Sequence, residues 1–361
     1  MRQLVRIFGP PRVAAVALLL LAFAACKKSP PPDPLCSYQP VPQTTRLEPG
    51  QGALQVSGTT DAYFYLRDKA GKQVASGALN LAVGVKPGEY RALLHNSVHT
   101  VFVQEGMLTR CGCGSLQVVG STDEYYYVLD PAGNQLASSK LGAAISLFPD
   151  TYRVKVNNTL ASIQVAAGGT AELKTGLLQV PGTTDEYYYV LDSAGTQLLG
   201  AKLGRGSALL PGSWTVKVNN TTSKVDIRPG ETTQAQAGTL KVNGSTNEYY
   251  YVLNDAGTQL ANSQLRKTIA LFPGAYQVRV NNSTAQVSVT AGSAVEVEAG
   301  TVTVKGAGTD YYYVLDANGT QLASAQVNQP TALVAGQYSV RVGKDTKPAV
   351  VTGGKETVVS W

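Results

Sequence analysis

Few side chains in this sequence could carry catalysis. The 361 residues include only two histidines, His95 and His99. No nucleophile and carboxylate accompany them in a pattern that marks a catalytic triad, and the sequence contains no glycine-rich phosphate loop. It therefore predicts a protein that is not an enzyme and that needs no cofactor and no metal ion.

The four cysteines indicate covalent tethering. Cys36 precedes the repeats described below, and Cys111 and Cys113 lie 75 and 77 residues further on. An oxidising compartment outside the cytoplasm permits a disulfide. We expect Cys36 to pair with either Cys111 or Cys113, which leaves one thiol over. Zinc is not favoured, since Cys111-Gly-Cys113 lacks the paired spacing and the second half-site of structural zinc centres.

The N-terminus predicts export. Three arginines, at positions 2, 6 and 12, precede an unbroken apolar run over residues 13–25. That run is shorter than the roughly 20 residues that span a bilayer. We interpret residues 1–25 as a signal peptide.

The fourth cysteine, Cys26, ends this apolar run. The stretch Phe23-Ala24-Ala25-Cys26 resembles the lipobox of bacterial lipoproteins. The resemblance implies that Cys26 is lipidated and anchors the chain in a membrane. Because no aspartate follows Cys26, it also implies an outer-membrane location. The alternative is ordinary cleavage after Ala24, which would give a freely secreted protein.

Charge excludes one class of partner. The chain holds 30 basic and 24 acidic residues. Removal of residues 1–25 takes away three arginines, which leaves 27 basic against 24 acidic residues and a formal charge of +3. No basic stripe remains along the chain to neutralise phosphates, so we expect no nucleic-acid partner.

Residues 26–52 form a predicted anchor and tether. Six prolines fall between residues 29 and 43. Such a segment favours extended polyproline II structure. We expect it to hold the rest of the chain away from the membrane.

The remainder of the sequence repeats with a period of 62 residues. Leading apolar residues, first tyrosines and turn glycines each recur at this spacing: Leu54, Leu116, Leu178, Leu240 and Val302; Tyr63, Tyr125, Tyr187, Tyr249 and Tyr311; Gly71, Gly133, Gly195, Gly257 and Gly319. A fixed period without insertions is typical of tandem structural repeats. We predict repeat 1 over 53–114, repeat 2 over 115–176, repeat 3 over 177–238, repeat 4 over 239–300 and repeat 5 over 301–361.

Each repeat predicts about seven short strands, spaced roughly 9 residues apart, which is typical of a β-sandwich. The element Phe272-Pro273-Gly274-Ala275-Tyr276-Gln277-Val278 resembles tandem Ig-like or prealbumin-like modules of bacterial surface proteins, including the PEGA and carboxypeptidase-regulatory-like groups. The fold class is therefore predicted as all-β, with five tandem β-sandwiches. A five-bladed propeller is the alternative. Since no spacer separates the repeats, neighbours should pack into a stiff rod or arc.

A tyrosine triplet marks the second predicted strand of repeats 2 to 5, and Tyr-Phe-Tyr replaces it in repeat 1. Since alternate residues of a strand face opposite ways, the middle residue should lie in the core. The flanking tyrosines then form a candidate binding face: Tyr63, Tyr65, Tyr125, Tyr127, Tyr187, Tyr189, Tyr249, Tyr251, Tyr311 and Tyr313. They could stack on sugar rings or dock a partner, or they could pack against an adjoining strand or repeat.

Carboxylates beside the triplets predict turns and not calcium sites. Asp130 opens a hairpin turn, and its equivalent in repeat 4 is Asn254, which keeps that role but loses the charge that calcium would need.

Three functions fit these observations. The first is a structural or adhesive lipoprotein of the cell envelope. The second is a carbohydrate-binding protein that uses the outward tyrosines on exopolysaccharide or peptidoglycan. The third is an accessory subunit of an envelope assembly.

Overall fold

A computed structural model of the protein describes residues 33–308 and 310–361. The predicted signal peptide, the candidate lipidation site Cys26 and the first part of the predicted tether lie outside the described residues. Residues 35–361 form one compact unit. The described residues consist of β-strands, turns and irregular segments. Within them, no helix is long and apolar enough to cross a membrane.

The strands recur with the sequence period. The segment before repeat 1 contributes β1, Cys36–Pro40. Repeat 1 contains β2 Gly52–Ser57, β3 Tyr63–Arg67, β4 Gln73–Ala78, β5 Ala82–Val85, β6 Gly88–Leu94, β7 Ser97–Val103 and β8 Met107–Gly112. Repeat 2 contains β9 Gly114–Val119, β10 Tyr125–Leu129, β11 Gln135–Lys140, β12 Ala144–Leu147, β13 Asp150–Val156, β14 Thr159–Val165 and β15 Thr170–Lys174.

The later repeats follow the same order. Repeat 3 contains β16 Gly176–Gln179, β17 Tyr187–Leu191, β18 Gln197–Lys202, β19 Ser207–Leu209, β20 Gly212–Val218, β21 Thr221–Ile227 and β22 Thr232–Gln234. Repeat 4 contains β23 Gly238–Asn243, β24 Tyr249–Leu253, β25 Gln259–Gln264, β26 Thr268–Leu271, β27 Gly274–Val280 and β28 Ser283–Val289. The strand β29, Ala294–Lys305, ends repeat 4 and begins repeat 5, which continues with β30 Tyr311–Leu315, β31 Gln321–Gln326, β32 Pro330–Val334, β33 Gly336–Val342, β34 Asp345–Val351 and β35 Glu356–Ser360.

Each repeat is a two-sheet sandwich, and repeat 2 shows the pattern. One sheet has four antiparallel strands in the order β11-β10-β13-β14, and the other has three in the order β12-β9-β15. The first and last strands of the repeat, β9 and β15, pair in parallel. The prediction of an all-β chain of tandem β-sandwiches is confirmed. The propeller alternative is wrong, because a blade is a single four-stranded sheet and each repeat here has two sheets.

The alternation of side chains decides which face of each sheet is buried. On β10, Tyr126 and Val128 are fully buried between the sheets, whereas Tyr125 on the opposite face is 49% exposed. Apolar residues of both sheets fill the space between them, as is usual for two packed sheets. We call the solvent side of each four-stranded sheet its outer face.

Residues 36–40 of the predicted tether form a paired β-strand and not a free polyproline segment. The strand β1 pairs antiparallel with β8, the last strand of repeat 1, and Cys36 lies directly opposite Cys111. An unpaired sheet edge offers free backbone donors and acceptors. Residues 36–40 satisfy that edge, so this part of the segment belongs to the sheet of repeat 1.

The repeats share their cores. Phe148 of repeat 2 is buried within the apolar cluster of repeat 1. In the same way, Leu210, Phe272 and Val334 each lie in the cluster of the preceding repeat. A sandwich of about 62 residues buries only about 60% of its unfolded surface and is marginal alone. Each of repeats 1 to 4 therefore gains buried apolar area from a side chain of the next repeat.

Candidate interaction surface

The middle tyrosine of each triplet is a core residue that spans the sandwich. The side chains of Tyr126, Tyr188, Tyr250 and Tyr312 are fully buried, as is Phe64 in repeat 1. The hydroxyl of Tyr126 donates to the carbonyl oxygen of Ala143 at 2.8 Å. Because a buried hydroxyl without a partner is costly, this bond lets a tyrosine occupy the core. Burial raises the pKa of these four tyrosines.

A second tyrosine row braces the turn before the fifth strand of each repeat. The hydroxyl of Tyr152 donates to the carbonyl of Phe148, four residues back, at 2.5 Å. Equivalent bonds form from Tyr90, Tyr276 and Tyr338. In repeat 3 the indole N–H of Trp214 donates to Leu210 at 3.2 Å. A ring-borne donor is thus present in all five repeats, although the hydroxyl itself is replaceable.

The ten flanking tyrosines lie on the outer faces, and they form two unequal rows. The first tyrosine of each triplet is between 47% and 59% exposed: Tyr63, Tyr125, Tyr187, Tyr249 and Tyr311. The third is half-buried in repeats 2 to 5, at Tyr127, Tyr189, Tyr251 and Tyr313, and Tyr65 is 42% exposed. The predicted face therefore divides into a solvent-facing row and a row packed into the sheet surface.

A cation from the neighbouring strand explains the packing of the second row. The ammonium of Lys155 lies 5.1 Å from the ring centroid of Tyr127, and Lys217 lies 5.6 Å from that of Tyr189. Arg279 and Arg341 occupy the same place over Tyr251 and Tyr313. Such cation–π contacts contribute about 0.5–1 kcal/mol at exposed sites. Repeat 1 has Leu93 opposite Tyr65, so its tyrosine lacks this cover.

The three cysteines within the described residues form one disulfide and leave one free thiol. Cys36 and Cys111 form a disulfide, which is one of the two pairings that the sequence left open. Cys113 is a free, fully buried cysteine. Burial raises the pKa of its thiol, so the reactive thiolate is disfavoured.

The joints between repeats contain a polar cluster that the sequence reasoning missed. In repeat 3 the carboxylate of Glu186 accepts hydrogen bonds from Thr184 at 2.8 Å and Asn219 at 2.8 Å. It also accepts the backbone N–H of Ala270, in repeat 4, at 2.6 Å. Asn219 donates in addition to the carbonyl of Ala270 at 2.9 Å. Two side chains of one repeat thus satisfy both backbone groups of a residue in the next.

The same arrangement closes the joints on either side. Glu124 and Asn157 hold Ala208, and Glu248 and Asn281 hold Ala332. We call each Glu–Asn pair with its bound alanine a latch. The signal was present in the sequence as the recurring Glu before the triplet and the recurring Asn-Asn turn. The latch asparagines are also turn residues, since Asn157, Asn219 and Asn281 have positive φ.

The joint between repeats 1 and 2 is built differently. Ala62 and His95 stand where later repeats have the latch Glu and Asn. The hydroxyls of Thr60 and Ser146 lie 2.6 Å apart across this joint. The rings of His99 and Phe148 contact each other with centroids 5.4 Å apart. His99 is therefore a residue of this joint, which also has a hydrogen bond from the backbone N–H of Phe148 to the hydroxyl of Ser97 at 3.2 Å.

The carboxylates after the triplets act in the hairpin turns. Oδ1 of Asp130 accepts the backbone N–H of Asn134 at 2.8 Å, and the side chain of Asn254 accepts that of Thr258 at the same distance. Asp68, Asp192 and Asp316 make the equivalent bond. Hydrogen bonds from Asn134 lower the pKa of Asp130.

No protein-family model matches the chain, and no curated protein matches it. Solved structures do match. The Bacillus anthracis TIE protein is 10% identical, with 92% of this chain and 75% of that chain covered, at a TM-score of 0.16. The pilus adhesin SpaC from Lactobacillus rhamnosus GG, in its open conformation, is 11% identical at a TM-score of 0.18, and this chain spans 46% of its length. BcpA, the major pilin subunit of Bacillus cereus, is 10% identical at a TM-score of 0.14, with coverage of 86% and 98%.

Proposed function

We propose that the protein is a non-enzymatic, exported lipoprotein of the cell envelope that holds a repeated interaction surface away from its anchor. The observation that carries the proposal is the construction of the joints. Shared apolar clusters and latches connect consecutive repeats, and each repeat presents the same tyrosine position to solvent. A chain built in this way displays copies of one surface at fixed spacing.

The anchor is proposed from the sequence of residues 1–26. Two or more acyl chains would give stable attachment to a membrane. The exported protein should incorporate a labelled fatty acid, and Cys26→Ser should abolish both the label and the membrane association. Protease treatment of intact cells would then show whether the repeats face outwards. A Cys26→Ser protein that still sediments with membranes would contradict the proposed anchor.

A second candidate function, carbohydrate binding on exopolysaccharide or peptidoglycan, is favoured by the exposed tyrosine row. Tyrosine offers a flat apolar ring with a polar tip. The test is binding of the chain to purified envelope polysaccharides, compared with a variant in which Tyr125, Tyr127, Tyr187 and Tyr189 are changed to Ala. The third candidate, an accessory subunit of an envelope assembly, predicts instead a protein that co-purifies stably with the chain.

A further inference from the structure

The outer faces differ in charge from the rest of the molecule. Since residues directly opposite in neighbouring strands share a face, the registers assign every outer-face side chain. The cations on these faces are Arg67, Arg91, Lys140, Arg153, Lys155, Lys202, Lys217, Lys224, Arg279 and Arg341. The carboxylates are Glu89 and Asp226.

This distribution is strongly asymmetric. Residues 33–361 contain 25 basic and 24 acidic side chains, so this part of the chain is nearly neutral. The outer faces hold ten of the cations and only two of the acids. The remaining surface therefore holds 15 cations and 22 acids, and the excess positive charge is confined to the sheets that carry the tyrosines.

The cations are concentrated on repeats 2 and 3. Repeat 2 places Lys140 opposite Tyr125, Lys155 beside Tyr127, and Arg153 beside Leu129. Repeat 3 has three cations as well, at Lys202, Lys217 and Lys224. Repeats 4 and 5 have one each, Arg279 and Arg341. Only in repeats 2 and 3 does a cation face the exposed first tyrosine, because Gln264 and Gln326 hold that place further on.

The exposed rings and the cations are arranged side by side. The first tyrosines keep about half of their surface exposed to solvent, and the cations that cover rings lie over the third tyrosines instead. A groove of about 420 Å³ continues the outer face of repeat 3 across the next joint. Tyr189 and Lys217 line one side of this groove, and residues 259–262 of repeat 4 line the other.

We propose that the outer faces of repeats 2 and 3 bind an anionic polysaccharide, one that carries carboxylate or sulfate groups on successive sugars. The inference rests on the carbohydrate-binding function proposed above and specifies its ligand class. The free tyrosine rings stack on sugar rings, and the neighbouring lysines and arginines pair with the acidic groups. Charge complementarity also speeds encounter with a polyanion and makes binding depend on salt.

Binding of dextran sulfate and polygalacturonate, with neutral dextran as the reference polymer, tests the proposal. The protein is the exported chain with Cys26→Ser. The test variant changes Lys140, Lys155, Lys202 and Lys217 to Gln. A control of equal net charge changes Arg110, Lys174, Lys241 and Lys305 to Gln, all of which lie on strands of the other sheets. Thermal unfolding confirms that both variants fold.

We expect binding to both polyanions and none to dextran. The test variant should bind about 10- to 30-fold more weakly, if each lost pair contributes as a typical exposed pair does. The control should bind within about twofold of the parent. Raising the ionic strength from about 0.05 M to about 0.5 M shortens the Debye length, so it should weaken the binding of the parent most.

Three outcomes would overturn the proposal. Equal binding of dextran and the polyanions, lost in the tyrosine-to-alanine variant, would retain carbohydrate binding but reject an anionic ligand. Equal losses in the test and control variants would reject the outer face as the site. Binding to vesicles of anionic phospholipid with none to any polysaccharide would reject both this inference and the carbohydrate function.

Discussion

At the scale of single residues, the same type of side chain serves distinct purposes. Tyrosine bridges the sheets at Tyr126, braces a turn at Tyr152 and faces solvent at Tyr125. The position within the strand decides the outcome, because alternation places neighbours on opposite faces. The buried rows limit the conditions under which the fold is stable, and the exposed row is free to meet a ligand.

Buried tyrosines should make the protein sensitive to alkali. Burial raises the pKa of Tyr152 to about 12, whereas an unfolded tyrosine titrates near 10. Stability from this row is therefore fully present below pH 10 and is lost as the pH rises towards 12, since the unfolded chain releases the proton first. We expect the urea midpoint to be constant between pH 8 and 9.5 and to fall from pH 10 to 11.5.

Two variants isolate the contribution of Tyr152. Tyr152→Phe removes one ionisable core group, so the loss of unfolding free energy between pH 9 and 11.5 should shrink by about 2 kcal/mol. Tyr125→Phe, which changes an exposed side chain, should leave that loss unchanged. An identical pH profile for Tyr152→Phe and the parent would contradict the assignment.

The cysteine chemistry makes a further prediction. With Cys26 replaced by Ser, an alkylating reagent should label no cysteine of the native protein and Cys113 alone after denaturation. Reduction before denaturation should add Cys36 and Cys111, and peptide mass spectrometry identifies the sites. Because the disulfide closes a loop of about 75 residues, reduction should cost about 4 kcal/mol of stability in repeat 1. Labelling of Cys111 without reduction would show that the pairing is wrong.

At the scale of strands and joints, a few positions determine how repeats connect. The first strand of repeats 1 to 4 begins at a glycine that the turn before the last strand of the same repeat approaches closely. A Cβ at Gly176 would lie 2.4 Å from the carbonyl oxygen of Arg228, and one at Gly114 would lie 2.2 Å from that of Ala166. Side chains cannot occupy these sites without movement of the backbone, so the turn before the last strand packs directly on the start of the first.

The latch predicts a specific loss of stability. Both oxygens of Glu186 face donors, so Glu186→Gln would place an amide N–H₂ against a donor group. We expect the free energy of unfolding to fall by about 1.5–3 kcal/mol, the range for hydrogen bonds to charged groups. Hydrogen exchange should accelerate most at the amide of Ala270. The control Glu172→Gln changes an exposed carboxylate and should cost less than about 0.5 kcal/mol.

The strands could be predicted from the sequence, whereas the joints could not. The strands and their turns follow from local patterns: alternation, Asx-initiated turns and Pro-Gly breaks act over a few residues. The latch could not be derived in this way, because Glu186 and Ala270 are 84 residues apart and meet only across a joint. The pairing of β1 with β8 was also missed, because the prolines of the predicted tether suggested an unpaired segment.

At the scale of the whole molecule, the sequence of each repeat depends on its neighbours. One apolar side chain of each later repeat lies in the apolar cluster of the preceding repeat: Phe148, Leu210, Phe272 and Val334. The equivalent residue of repeat 1 is the exposed Lys86. At the other end, repeat 5 has Asp310 and Gly343 in place of the latch Glu and Asn. A terminal repeat of an array needs a polar outer surface to stay soluble, and Lys86 provides a polar side chain at this position of repeat 1.

The role of Lys86 can be transferred to another repeat. A chain that begins at Gly114 lacks repeat 1 and exposes Phe148, which is only 2% exposed in the complete array. Because an apolar patch of this kind promotes association, we expect the shortened chain to self-associate with rising concentration in sedimentation velocity. Phe148→Lys, which copies the residue found in repeat 1, should restore the monomer.

The same substitution in the complete chain provides the reciprocal test. There, Phe148→Lys would bury an ammonium group against the core of repeat 1, and buried charges without partners are strongly destabilising. We expect a loss of about 3–5 kcal/mol, the cost of removing a large aromatic core residue, seen as early unfolding of repeat 1. If the same substitution keeps the shortened chain monomeric and destabilises the complete chain, a phenylalanine is required at position 148 because repeat 1 packs against it. Self-association that persists in the shortened Phe148→Lys chain would mean that another part of the exposed surface, such as the edge of β9, drives it.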